Sequence, residues 1–212
     1  MGIRIVKEGF PFIGTALVVT LLVGAGIGRY WAIPPAVLTL FFIFFFRSPA
    51  RVVPTDPDVI VSPADGRVMA VETATEELFM GEPCRKVTIF LSVFDVHVNR
   101  TPIAGEIKFR QYTVGGFRPA YQKTVGFENE RHTIALVNER LTVVVTQIAG
   151  ILARRIVSWK KLGDHLEKGE LYGMIKFGSC TEVFLPQSVE VCVRKGDKVV
   201  GGETVIGRIG NE

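Results

Sequence analysis

Histidine and cysteine, two side chains much used for metal binding and acid–base chemistry, are scarce here: three of each in 212 residues. The cysteines (Cys84, Cys180, Cys192) are odd in number, and their spacings fit no metal site. This argues against a disulfide framework and a thiolate metal centre, and leaves idle thiols in a reducing compartment. Blocks of like charge are also missing. Twenty-five Lys and Arg against 21 Asp and Glu give a formal charge of +4 without runs, so no nucleic-acid partner is implied. No G-x-S-x-G nucleophile elbow surrounds Ser179. With only His97, His132 and His165 present, each imidazole is a candidate for acid–base work.

The mean hydropathy of +0.31 is high for a soluble domain, and one region explains it. Residues 10–28 (FPFIGTALVVTLLVGAGIG) and 31–46 (WAIPPAVLTLFFIFFF) carry no charge. A bilayer core takes roughly 17–25 apolar residues in a helix. The first run is long enough. The second is near the lower limit, with Pro34 and Pro35 close to its start, where a helix tolerates proline best. A second apolar run directly after the first, with no small-residue cleavage site, argues against a signal peptide. Residues 1–47 therefore read as a membrane anchor, a two-pass hairpin, with a re-entrant or monotopic hairpin as the alternative. Arg4 and Lys7 precede it and Arg47 and Arg51 follow, so the positive-inside bias puts both ends in the cytoplasm. A basic soluble part would then sit on an anionic leaflet of the cell membrane.

From residue 48 to 212 the texture changes to short β-branched runs separated by Gly, Pro and Asp, from Val59–Val61 to Thr204–Ile209. The spacing predicts a mainly β (α+β) domain, a sandwich or hybrid barrel. Ile151, Arg155 and Trp159 stand four apart and predict one helical turn within Ile148–Trp159. Val193–Ile209 (VRKGDKVVGGETVIGRI) resembles the hammerhead turn of biotinyl- and lipoyl-type barrels. Gly196, Gly201 and Gly202 would supply its positive φ angles, and no lysine stands where a carrier would be modified.

Gly178-Ser179 is by itself a common loop dipeptide. Its company is specific: Ser62–Gly66 (SPADG), Leu91–Pro102 (LSVFDVHVNRTP), Gly115–Ala120 (GGFRPA), Glu128–Arg131 (ENER), Gln147–Trp159 (QIAGILARRIVSW) and Phe177-Gly178-Ser179. In this order the motifs resemble the phosphatidylserine decarboxylases over essentially all of residues 48–212, most closely the short form found in archaea and some bacteria. The resemblance implies a zymogen that cuts itself between Gly178 and Ser179 into a β chain (1–178) and an α chain (179–212). A serine hydroxyl next to the Gly178 carbonyl has the effective molarity of an intramolecular nucleophile, and glycine allows the strained backbone that the attack needs. Ester formation, β-elimination to dehydroalanine and its hydrolysis with loss of ammonia would leave a pyruvoyl group at position 179, the only cofactor implied; no metal is. A Schiff base on it would convert phosphatidylserine to phosphatidylethanolamine and CO2.

The resemblance also implies roles for other residues. His97 becomes the candidate proton donor and base, and Asp65 the charged partner that orients an imidazole. Where longer relatives have a second histidine three residues after the first, Arg100 stands in this chain. Either His97 serves both steps or the cleavage base lies elsewhere, with His132 the reserve candidate and also a substrate-side residue. Arg118, Arg131, Arg154 and Arg155 could take the phosphodiester or carboxylate through bidentate contacts. Homo-oligomers are compatible with this reading. The competing class is a non-enzymatic, membrane-tethered hybrid-barrel adaptor, which would remain one chain.

Overall fold

The computed structural model describes residues 2–116, 129–150, 155–176 and 179–210, with the backbone alone at Ser179. Two compact units follow one another, Met1–Ala50 and Arg51–Glu212.

The apolar runs build the first unit. They form helices α1 (Phe10–Gly26) and α2 (Ile33–Phe45), each with proline in its first turn, where no intrahelical N–H is required. Thr20 and Thr39, each bonded to a carbonyl of its own helix, meet at 3.4 Å. Phe12 lies 5.5 Å from Phe42 and 5.3 Å from Phe46. Strands β1 (Ile3–Ile5) and β2 (Arg47–Pro49) pair antiparallel and close the hairpin. Leu17, Leu21, Leu22, Val37 and Leu40 are exposed. Helices apolar on every side have no face suited to water. Lys7–Gly26 is long and apolar enough to cross a membrane. The second run yields only 13 helical residues, about 20 Å against a hydrocarbon core of about 30 Å. The prolines set where α2 begins, and the chain leaves the helix at Phe46 to pair β2 with β1, so the two full crossings expected of two apolar runs become one full-length helix and one shorter one.

In the second unit, strands with alternating apolar residues stack one face into a common core. They are β3 (Val59–Val61), β4 (Gly66–Thr75), β5 (Pro83–Leu91), β6 (Val98–Arg100), β7 (Gly105–Thr113), β8 (Arg131–Val137), β9 (Thr142–Ala149), β10 (Ile156–Ser158), β11 (His165–Leu166), β12 (Leu171–Ile175), β13 (Ser179–Pro186), β14 (Val189–Val191), β15 (Lys198–Val199) and β16 (Val205–Ile209). Eight form one antiparallel sheet, in the order β11-β7-β8-β9-β13-β5-β4-β15, which curls into a half-barrel. Sheets β10-β12-β6 and β14-β16-β3 complete the unit. Val87, Ile89, Ile134, Leu136, Val143, Val145, Val183 and Leu185 of the large sheet are fully buried with Ile60, Tyr172 and Ile206 from the small ones. Each such aliphatic side chain contributes roughly 1.5–3 kcal/mol.

The unit is mainly β, as the patterning predicts, but the helix predicted within Ile148–Trp159 is not what its flanks form. Ile148 and Ala149 finish β9, and Ile156–Ser158 pair with Gly173–Ile175 of β12. Ladder bonds and burial of β-branched residues outweigh a four-residue repeat. Residues 151–154 lie outside the described residues. The hammerhead expectation also needs correction at one glycine. Gly196 (φ +99°) and Gly202 (φ +81°) take the left-handed region, whereas Gly201 has no positive φ and is needed for space instead.

Candidate active site

Ser179 is the first residue of β13, a central strand bonded on both sides. Its backbone pairs with Leu91 of β5 and Ala149 of β9. The strand's residues at 181, 183 and 185 face the core, and Thr181 is fully buried. Gly178 lies outside the described residues.

His97 is fully buried. The alternation Val93–Val98 predicts a strand through it, but β6 begins only at Val98. Asp95 explains the difference: its carboxylate accepts the Ser92 amide at 2.8 Å and its own amide reaches the Ser92 carbonyl, which closes a tight turn. His97 Nδ1 lies 2.9 Å from the Asp95 carbonyl. A carbonyl only accepts, so Nδ1 carries the proton and Nε2 is the basic nitrogen. The His97 carbonyl accepts the Ile175 amide at 3.1 Å, which brings this turn beside the end of β12, three residues before Gly178.

Asp65 is turned to a different partner from the one expected. Its carboxylate accepts Arg51 Nη2 at 2.7 and 2.9 Å and the Gly201 amide at 2.8 Å. A Cβ on Gly201 would stand 3.1 Å from the Ala64 backbone and 3.2 Å from Asp65 Oδ1, so the hammerhead turn abuts this motif only as glycine. Burial lifts the Asp65 carboxyl above its ordinary range despite the opposing pull of Arg51 and the Gly201 amide. Arg100 donates Nη1 to the Gly169 carbonyl at 2.8 Å, and its amide reaches the Pro63 carbonyl. Burial, then Arg51, lowers its pKa, yet a guanidinium is no base at neutral pH. Asp65 thus anchors an arginine, and His97 is oriented by a backbone carbonyl.

The cationic candidates separate. Arg131 lines a cavity of about 260 Å³ with Lys86, Glu182, Thr133 and Thr146, on the sheet face opposite Thr181. Arg155 is exposed, and its carbonyl accepts the Lys176 amide at 3.2 Å, which places its backbone beside the segment entering Gly178. Arg118 and Arg154 lie outside the described residues. Within ENER, Asn129 Nδ2 donates to the Ala149 carbonyl at 2.6 Å, and Glu130 accepts the Ile156 amide at 3.2 Å. These two side chains tie down both ends of the 150–155 connection. Burial, then Glu130, pushes the Tyr112 phenol up to about 12.

His132 is not an open substrate contact but an internal one. It is 1% exposed, receives Arg110 Nε at Nε2 (3.0 Å), and bonds Gln147 Oε1 through Nδ1 (3.1 Å). Burial, then Arg110, lowers its pKa to about 4, so it is neutral at physiological pH. Gln147 Nε2 donates to Asn99 Oδ1 at 2.8 Å. Asn99 Nδ2 reaches Thr181 Oγ1 at 3.3 Å and the Pro63 carbonyl at 3.4 Å. Asn99, Gln147, Thr181 and Arg51 have no assigned role in the motif reading. Gln147 has a readable signal: it falls in phase with Val143 and Val145 at a core-facing strand position. Cys180 is buried against Ile148, and burial raises its thiol pKa. Among the described residues, no group of three His, Cys, Asp or Glu is placed to hold a metal.

The chain is similar to known proteins over most of its length. The family model described as phosphatidylserine decarboxylase matches residues 38–207. A phosphatidylserine decarboxylase proenzyme of Symbiobacterium thermophilum is 48% identical over 208 residues, covering 97% of this chain and 95% of that protein. Its counterpart in Carboxydothermus hydrogenoformans is 49% identical over 204 residues, 96% of this chain and 95% of that protein. One from Geotalea uraniireducens is 43% identical with the same coverage.

Proposed function

The chain belongs to the phosphatidylserine decarboxylase family, and from that premise we propose that it cuts itself between Gly178 and Ser179, converts Ser179 to a pyruvoyl group, and decarboxylates phosphatidylserine to phosphatidylethanolamine. The observation that carries the proposal is the position of Ser179 as the first residue of a central strand paired on both edges. A cut before it frees a new chain end without releasing the strand, because β13 to β16 stay in the ladders formed with β3, β4, β5 and β9. The two products, 1–178 and 179–212, remain one folded unit.

Position 179 suits the group. Its ladder neighbours Leu91 and Ala149 are fully buried, and Thr181, two residues on, is tethered by Asn99. The pyruvoyl carbonyl supplies an electron sink for the pair released as CO2 departs. His97, with Nδ1–H committed to the Asp95 carbonyl, offers Nε2 as the base for the Ser179 hydroxyl and afterwards as the carrier of the proton that the decarboxylated carbon takes up. Arg100 cannot share this work, so His97 serves both steps. Asp65 acts at one remove: it holds Arg51 and the Gly201 turn against the motif. Arg155 and Arg118 are the proposed partners of the head-group phosphate. Residues 1–47 attach the enzyme to the membrane, with residues 48–212 as the catalytic domain on the cytoplasmic, anionic face. The single full-length helix and the flanking Arg4, Lys7, Arg47 and Arg51 support this placement. Family membership as an enzyme disfavours the adaptor alternative.

Intact mass spectrometry tests the reading. The wild-type protein should give two polypeptides, the smaller spanning 179–212 with a blocked, pyruvoyl-bearing end. Ser179→Ala should stay as one chain and release no CO2 from phosphatidylserine. An active preparation containing only the uncut chain would overturn the proposal.

A further inference from the structure

The core face of the large sheet is aliphatic except along one row. Going down β8, β9 and β13, the core-facing residues include Ile134, Leu136, Val143, Val145, Val183 and Leu185, all fully buried. In the row next to that of Ser179 the pattern changes to His132, Gln147 and Thr181, directly paired across the three strands. Asn99, from the separate sheet containing β6, joins the same row. A row of valines would fill this space with no buried polar group to satisfy, and such replacements are often neutral or stabilising. The polar row therefore needs a reason, and its place beside Ser179 suggests one.

The hydrogen bonds along it run in one direction. Arg110 Nε can only donate, so His132 Nε2 must accept and Nδ1 must carry the proton. That proton goes to Gln147 Oε1, which turns the Gln147 amide so that Nε2 donates to Asn99 Oδ1. Asn99 Nδ2 is then left to donate to Thr181 Oγ1 and the Pro63 carbonyl. Reversing either amide would set donor against donor in a fully buried site, at the full desolvation penalty. The space is shaped for this arrangement: a Cβ on Gly173 would stand 3.1 Å from Gln147 Nε2 and 3.3 Å from Oε1. The chain ends two residues after Ser179, two before Asp65, and on the side chain two after His97. One exposed arginine thus sets the orientation of buried amides that join five separate sequence segments.

We propose that Asn99, Gln147 and His132 are positioning residues for maturation: their polarised hydrogen-bond chain, set by Arg110, holds Thr181 and the Pro63 carbonyl so that the strand beginning at Ser179 stays in register for self-cleavage. This rests on the self-cleavage reading above. The residues touch no reacting atom; they act through the backbone of β13 and the Ser62–Gly66 turn.

The test follows conversion of full-length precursor into two chains over time after synthesis. Asn99→Asp keeps the size and still accepts from Gln147, but a carboxylate reverses the polarity at Thr181, whose hydroxyl must now donate, and sets acceptor against acceptor at the Pro63 carbonyl. Conversion should therefore slow about tenfold, the equivalent of one net hydrogen bond. Arg110→Ala, at an exposed position, should slow it about threefold, and Arg110→Lys, which keeps a donor, should restore most of the rate. The Arg110→Ala/Asn99→Asp double variant should be about as slow as Asn99→Asp alone, because groups acting as one unit are not additive. Wild-type rates in both single variants, or effects that multiply, overturn the proposal. Should Asn99→Asp fail to fold, the Arg110→Ala and Arg110→Lys pair decides it alone. A wild-type chain that never cleaves defeats the maturation reading itself, a result distinct from cleavage that ignores these substitutions.

Discussion

The two faces of β13 hold their polar residues by opposite means. On the core face Thr181 ends a chain that is neutral beyond Arg110, in which His132, Gln147 and Asn99 each both donate and accept in a fully buried row. On the other face Glu182 lies among charges: Lys86 Nζ is 3.5 Å from Glu182 and 2.8 Å from Glu72, beside Arg131. Burial raises the Glu182 pKa, with Lys86 opposing it. A hydrogen-bonded amide row is directional and indifferent to salt. An ion cluster is neither, since Coulomb attraction tolerates shifts of an ångström and weakens with screening. The row next to that of Ser179 is the neutral, directional one.

This contrast can be broken in several ways, best measured on the uncut Ser179→Ala chain in detergent so that one polypeptide unfolds. The largest effect is expected from Asn99→Leu, which strands Gln147 Nε2 and the Thr181 hydroxyl; a loss of about 3 kcal/mol in denaturant unfolding is expected, and a loss under about 1 kcal/mol would show that the row is not holding the strand. The pH profile comes next. His132 titrates near 4 when folded against about 6.5 when unfolded, so the unfolded chain takes up the extra proton. Its contribution is complete above pH 6.5 and is lost as the pH falls towards 4, by about 3 kcal/mol. In His132→Gln that part of the acid slope should vanish, and an unchanged difference between the two profiles would count against a buried neutral imidazole.

Effects on the charged face should be smaller. Lys86→Met leaves Glu182 half-shielded from water without its nearest cation and should lower stability by about 1–2 kcal/mol, less in high salt; Lys86→Met with Glu182→Gln should recover most of it. The same salt series should leave the Asn99→Leu deficit unchanged. The smallest effect is expected from Cys180→Ala, about 1 kcal/mol from lost packing against Ile148. Its cleavage rate should match the wild type in the parent chain, because a buried thiol with a raised pKa is not a competing nucleophile. Slower cleavage would give Cys180 a role that its burial argues against.

Much of this was legible along the chain. Uncharged runs around Leu21 and Phe41 announced the two apolar helices, although the 13-residue length of α2 depended on where the hairpin closes. Alternation placed most strands of the catalytic unit within a few residues. It failed at Ile148–Trp159, where ladder partners in β12 outcompeted a weak helical repeat, and at His97, where Asp95 closes a turn that alternation cannot see. Ordered motifs pointed to the family and to Gly178-Ser179. The partners of those motifs were not legible. Asp65 invited an imidazole by analogy with a triad and instead meets Arg51 and the Gly201 amide. His132, a reserve candidate for the base, is an internal, neutral link.

What the sequence determined by itself was therefore local or statistical: where apolar residues run unbroken, where they alternate, and which ordered motifs mark the family. Those properties depend on a residue and its near neighbours, because hydrophobic periodicity is set by strand and helix geometry. What only the tertiary structure decided was which side chain faces which. Asn99 meets Thr181 across 82 positions and Gln147 across 48, and those encounters follow from strand order and register. A shift of one residue in register would turn Thr181 out of the core and Glu182 into it. The proposed cleavage dipeptide can be read from the chain, whereas the hydrogen bonds proposed to hold it exist only once the sheet has closed.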